Sequence, residues 1–69
     1  MTDSKAMREW ISDHGYKLKS IAAMLGITPY ALQKKIDNKS EFKASEIAMF
    51  VNKLGMEAGL RDQIFFGKM

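Results

Sequence analysis

Leu18-Lys19-Ser20-Ile21-Ala22-Ala23-Met24-Leu25-Gly26-Ile27-Thr28-Pro29-Tyr30-Ala31-Leu32-Gln33-Lys34-Lys35-Ile36 is the stretch that decides the fold. Leu18, Ile21, Ala22 and Leu25 stand at i, i+3, i+4 and i+7, so they share one face of a helix. Gly26 ends that helix, because glycine takes a positive φ without steric cost. Thr28-Pro29 opens the next one: threonine caps, and proline suits the first helical position. The new helix runs to about Asp37 or Asn38, with Leu32 and Ile36 one turn apart on its buried side. Tyr30, Gln33, Lys34 and Asp37 repeat the i, i+3, i+4, i+7 spacing on the opposite side. Two short helices joined at a glycine, the second with an apolar underside, form a helix-turn-helix candidate at about residues 17–38. Ala22 keeps the crossing close, and Ile27, Leu32 and Ile36 lock the second helix across the first.

Outward from this core the punctuation stays helical. Thr2, Asp3 and Ser4 offer N-cap chemistry for a first helix over about Ser4 to Asp13, with Met7, Trp10 and Ile11 as its apolar stripe. Trp10 is expected in the core, and His14 at the helix end is read as a surface or capping residue. Gly15 and Gly55 look like further helix stops. Asn38 to Phe42 reads as a loop, with Asn38 able to take the left-handed conformation that ends a helix. A fourth helix is expected from about Ala44 to Leu54, with Ile47, Ala48, Val51 and Leu54 inward and Phe50 on the flank. A fifth, from Glu57 to Phe66, would bury Leu60 and Ile64. No alternating β-branched run argues for strands, so the expected class is all-α, five helices in one domain spanning residues 1–69.

Composition narrows the function classes. Hydrophobic residues at 46% and charged residues at 28% match a soluble folded domain. Without cysteine there are no disulfides and no thiolate metal sites, and one histidine is too few for a structural zinc site. No apolar stretch reaches the roughly 18 residues of a membrane span, and Met1 to Lys5 has no apolar core behind it, so no membrane partner and a cytoplasmic location are expected. No Ser–His–Asp, Cys–His or paired-carboxylate arrangement and no glycine-rich phosphate loop is visible, so neither an enzyme nor a cofactor or small-molecule ligand is expected. The net charge is +3, and its placement is uneven. Between residues 17 and 43 six lysines oppose two carboxylates (6 − 2 = +4), while the rest carries five basic and six acidic residues (5 − 6 = −1). A polyanion partner fits that asymmetry, as does an ordinary solvated lysine face.

The quoted stretch resembles the helix-turn-helix of the phage Cro and CI repressors and their bacterial relatives, the lambda-repressor-like or XRE family. The likeness rests on Ala22 and Gly26 four apart, the following Ile27, then Leu32 and Ile36. It continues through Lys39-Ser40-Glu41-Phe42 and Ser45-Glu46-Ile47, similar to the loop and fourth helix of those repressors, and through Ile64-Phe65-Phe66, similar to a short terminal helix of small phage-type members. The family usually carries a phosphate-contacting glutamine where this chain has Leu18, and a Ser or Thr cap where it has Lys17; a capping Thr would likewise stand where Lys43 precedes Glu46.

The resemblance implies a compact five-helix DNA-binding domain, a double-stranded DNA operator as partner and a homodimer on DNA, in a bacterial or phage-infected host cell, with repression at a phage or prophage promoter as the activity. The second of the paired helices would enter the major groove. Gln33 would bond adenine N6 and N7, Lys34 guanine O6 and N7, Thr28 and Tyr30 a phosphate or thymine methyl, and Asp37 cytosine N4 unless it pairs with Lys34. Lys17, Lys19, Lys35, Lys39, Ser40 and Lys43 would meet phosphates. Phe65 and Phe66, together with Met56 and Met69, are the candidate dimer contacts. The rival reading is a protein-interaction module of the same fold, an anti-repressor or antitoxin-like protein, with Met24 and Met49 as its exposed methionines.

Overall fold

The computed structural model describes residues 1–67 and contains five helices: α1 (Ser4–Asp13), α2 (Leu18–Leu25), α3 (Pro29–Ile36), α4 (Ala44–Leu54) and α5 (Ala58–Phe66). The all-α expectation holds, and every helix begins and ends within two residues of its sequence limits. The reason is local. Asp3 caps α1 by accepting from the Ala6 N–H at 3.0 Å, and Thr28 caps α3 by accepting from Ala31 N–H at 3.0 Å. At the other ends Gly15, Gly26 and Gly55 all have φ near +70°, and Asn38 takes φ +65°. Behind three of these residues the next N–H turns back five positions: Tyr16 to Ile11 O, Ile27 to Ala22 O and Lys39 to Lys34 O, at 3.1, 3.0 and 2.8 Å. One stop geometry therefore closes α1, α2 and α3.

The core gathers one face from each helix: Met7, Trp10 and Ile11; Ile21, Ala22 and Leu25; Leu32 and Ile36; Phe50; and Ile64 and Phe65, with Met56 beside them. α2 and α3 form the most intimate pair, α1 lies against both α3 and α5, and α4 against α5. Ala22 is fully buried, as a close helix crossing requires. The expected stripes of α1 and α3 are those observed, and so is that of α2 except at its first position, where Leu18 is half-buried.

α4 is rotated from the expectation. Phe50, expected on the flank, is fully buried, whereas Ile47, Val51 and Leu54 are half-buried and Ala48 is exposed. The cause is aromatic packing. The Phe50 ring sits edge-on to Trp10 and Phe42 at 5.9 and 5.8 Å and tilted to Phe65 at 5.3 Å. The rotation buries the ring completely among three aromatic neighbours and still leaves Ile47, Val51 and Leu54 partly packed against the core. The buried edge of α4 thus runs through Glu46 and Phe50, one turn apart.

The start of the chain is stitched into this core. Thr2 is buried and its backbone pairs with the Asn38 side chain, the N–H donating to Oδ1 and the carbonyl accepting from Nδ2, both at 2.8 Å. The Asp3 N–H donates to Ile64 O at 2.6 Å. Residues 2 and 3 therefore join the end of α3 to α5.

Candidate nucleic-acid interface

α3 presents two unlike sides. Leu32 and Ile36 are fully buried, while Thr28, Tyr30, Gln33 and Lys34 are all exposed. Tyr30 is 73% exposed, the most open of the large apolar side chains after Met1 among the described residues. Its ring is not bare: the Lys34 Nζ lies 5.5 Å from the ring centre, one turn further along. This cation–π contact stacks a charge and an aromatic hydroxyl into one protruding ridge. Gln33 stands beside it with its amide without a protein partner among the described hydrogen bonds. Thr28 spends its hydroxyl oxygen on the α3 cap, which leaves its O–H proton available outward.

Asp37 does not belong to that ridge as expected. Its carboxylate pairs with the Arg8 guanidinium of α1 at 2.8 Å, with the two side chains 45% and 44% exposed for Arg8 and Asp37. It is drawn towards α1 rather than to Lys34, and in so exposed a setting the pair adds about 0–1 kcal/mol.

The basic rim also needs one correction. Lys17 and Lys19 at the start of α2, and Lys39, Ser40 and Lys43 around the α3–α4 loop, are exposed. Lys35 is not: its side chain is 11% exposed, and its Nζ pairs with the Glu46 carboxylate at 3.1 Å. Nζ also donates to the Glu41 carbonyl at 3.0 Å and lies 6.0 Å from the Phe42 ring centre. A lysine held in this way is engaged inside the fold. The spacing carried the signal, since Leu32, Lys35 and Ile36 stand at i, i+3 and i+4 and so share the buried face. Glu46, 6% exposed in its side chain, was read only as a helix-start residue. It does that too, accepting from the Lys43 N–H at 2.8 Å. The lysines at the caps of α2 and α4 make no side-chain cap bond, a lysine side chain having no acceptor to offer.

Of the contacts expected between copies, Phe65 is buried against Phe42 at 5.1 Å and Met56 is buried as well, so both serve the core. Phe66 is 60% exposed and lines an open groove between α4 and α5 with Phe42, Ile47, Ala48 and Val51. Met69 lies outside the described residues. Met24 and Met49 are half-buried against the core rather than exposed. Among the described residues no group of three His, Cys, Asp or Glu side chains is placed to hold a metal ion, and no helix is long and apolar enough to cross a membrane.

No protein-family model, curated protein or solved structure matches this chain.

Proposed function

We propose that this protein is a sequence-specific double-stranded DNA-binding regulator, a Cro-like repressor that lays α3 in the major groove. The observation that supports it best is the outer face of α3. Tyr30, Gln33 and Lys34 project from a helix whose other side is fully buried, and exposed Lys17, Lys19, Lys39 and Lys43 flank it. The amide and the ammonium supply base-edge hydrogen bonding, and the flanking lysines supply the sequence-independent attraction to phosphate. Asp37 and Lys35 drop out of the contact set because Arg8 and Glu46 engage them.

A domain of 30 × 24 × 21 Å reads few base pairs, so the working unit is a two-fold dimer on half-sites about 34–36 Å apart. Phe66 and the α4–α5 groove are the surface on which the second copy would sit. The same groove is what favours the second reading, a protein-interaction module of the anti-repressor or antitoxin kind.

Selection from randomised duplex DNA at physiological salt tests the proposal. Enrichment of a two-fold symmetric site is the expected result; no enrichment, with binding that vanishes as salt rises, would overturn it in favour of a protein partner. On the enriched site Gln33→Ala is expected to cost about 1–3 kcal/mol and to relax preference at one base position. A loss equal on all sequences would remove Gln33 from base reading.

A further inference from the structure

The Lys35–Glu46 pair is the one strongly buried ion pair among the described residues. It joins α3 to the first turn of α4, and it does so through a single oxygen. Glu46 Oε1 holds the Lys35 Nζ at 3.1 Å and the Lys43 N–H at 2.8 Å. Nζ in turn holds the Glu41 carbonyl at 3.0 Å. In the 39–43 loop the Glu41 carbonyl is therefore fixed directly to a side chain of α3, and the Lys43 N–H is fixed to the Glu46 oxygen that pairs with that same side chain. That loop carries exposed Lys39, Ser40 and Lys43, and α3 carries exposed Tyr30, Gln33 and Lys34.

Stability does not account for burying this pair. Removing two charges from water costs about as much as their attraction returns, and apolar residues of similar volume often replace such pairs without loss. What apolar residues cannot reproduce is direction: an ammonium distributing its protons between a carboxylate and a carbonyl defines one loop geometry. We infer that Lys35 and Glu46 are positioning residues that set the register between the loop's phosphate contacts and the base-reading ridge of α3. The inference rests on the DNA-binding reading proposed above. On it, Lys35 contributes to sequence preference while touching neither phosphate nor base.

The test uses the full chain with Lys35→Met and Glu46→Gln combined. Glutamine keeps an oxygen for the Lys43 N–H, and methionine fills the space of the lysine stem, so only the Nζ link is lost. Four quantities are read: the thermal midpoint, hydrogen exchange at the amides of residues 39–43, the ratio of affinity for the selected site to that for random duplex, and the salt slope on random duplex. The expected outcome is an almost unchanged midpoint, faster exchange at 39–43, and a ratio lowered about tenfold, with the salt slope on random duplex unchanged. Lys35→Arg, which keeps a cation in reach of both acceptors, is expected to retain most of the ratio.

An unchanged ratio overturns the inference, and so does unchanged exchange. A shallower salt slope with an unchanged ratio would overturn it by returning Lys35 to direct phosphate contact. If the double variant unfolds, the pair is needed for stability rather than for positioning, and the inference is overturned; a Lys35→Arg variant that folds but loses the ratio overturns it as well. Failure of the DNA-binding reading is recognised separately, in a wild-type protein that selects no site, and it takes this inference with it.

Discussion

Replacing Phe50 by leucine tests the rotation of α4 and the arrangement of the core at once. Phe50 is fully buried, with the rings of Trp10, Phe42 and Phe65 at 5.9, 5.8 and 5.3 Å. Each ring pair of this geometry contributes about 0.5–1.5 kcal/mol beyond area burial. Leucine keeps most of the buried apolar area but forfeits all three pairs, a loss of about 2–3 kcal/mol. For a chain of 69 residues, total stability is roughly 3–10 kcal/mol, so the loss removes a large part of the margin. Small domains have urea m-values of about 1 kcal/mol/M, which converts the loss into a midpoint lowered by about 2–3 M.

The assay is urea titration followed both by Trp10 fluorescence and by far-ultraviolet circular dichroism. The second signal guards against a purely local effect of Phe50 on the neighbouring indole. Phe66→Ala, compared at a protein concentration low enough for the chain to be monomeric, is the control, since a phenylalanine 60% exposed has little packing to lose within one copy, and its midpoint is expected within about 0.5 M of wild type. A Phe50→Leu midpoint equally close to wild type would refute the reasoning. So would equal losses in the two variants, which would place Phe50 on the flank as its spacing alone had implied.

Asn38→Ala removes both bonds to Thr2 and puts alanine at φ +65°, for a combined cost of about 2–3 kcal/mol in thermal denaturation. Asn38→Gly relieves only the backbone and is expected to recover about 1 kcal/mol; a glycine variant less stable than the alanine one would contradict that division. Phe66→Asp is expected to shift a sedimentation dilution series towards monomer, and unchanged self-association would remove Phe66 from the contact between copies.

The limits of the helices were legible because they are written in single residues. Gly15, Gly26, Asn38 and Gly55 stop helices by backbone conformation, and Thr28-Pro29 starts one, whatever lies elsewhere in the chain. The faces of α1, α2 and α3 were legible because their apolar spacing has one solution. α4 was not, since its period admits two adjacent stripes and the choice depends on rings contributed by α1, α5 and the loop.

The candidate site divides in the same way. Tyr30, Gln33 and Lys34 could be placed from the helix alone. The facing of Lys35 was legible too, but the partners of Lys35 and Asp37 were not, because they lie in other elements: Arg8 is 29 residues from Asp37 in sequence, and Glu46 sits in the next helix. Periodicity tells a charged residue which way it faces, and only the fold tells it what it meets there.

The stitching of residues 2 and 3 to Asn38 and Ile64 brings the two ends of the described chain together. A Cβ placed on Gly67 would lie 3.4 Å from the Met1 carbonyl oxygen. The backbone is thus nearly a closed ring, and a short peptide joining residue 67 to residue 1 would complete it with little distortion. In the chain-entropy treatment of cross-links, closing a loop of that length stabilises the folded form by about 4 kcal/mol. A backbone ring so made can be reopened elsewhere, and the turn at Gly15 between α1 and α2 is exposed. A permuted chain beginning with the paired helices and ending with α1 would keep every helix intact while reversing which segment leaves the ribosome first.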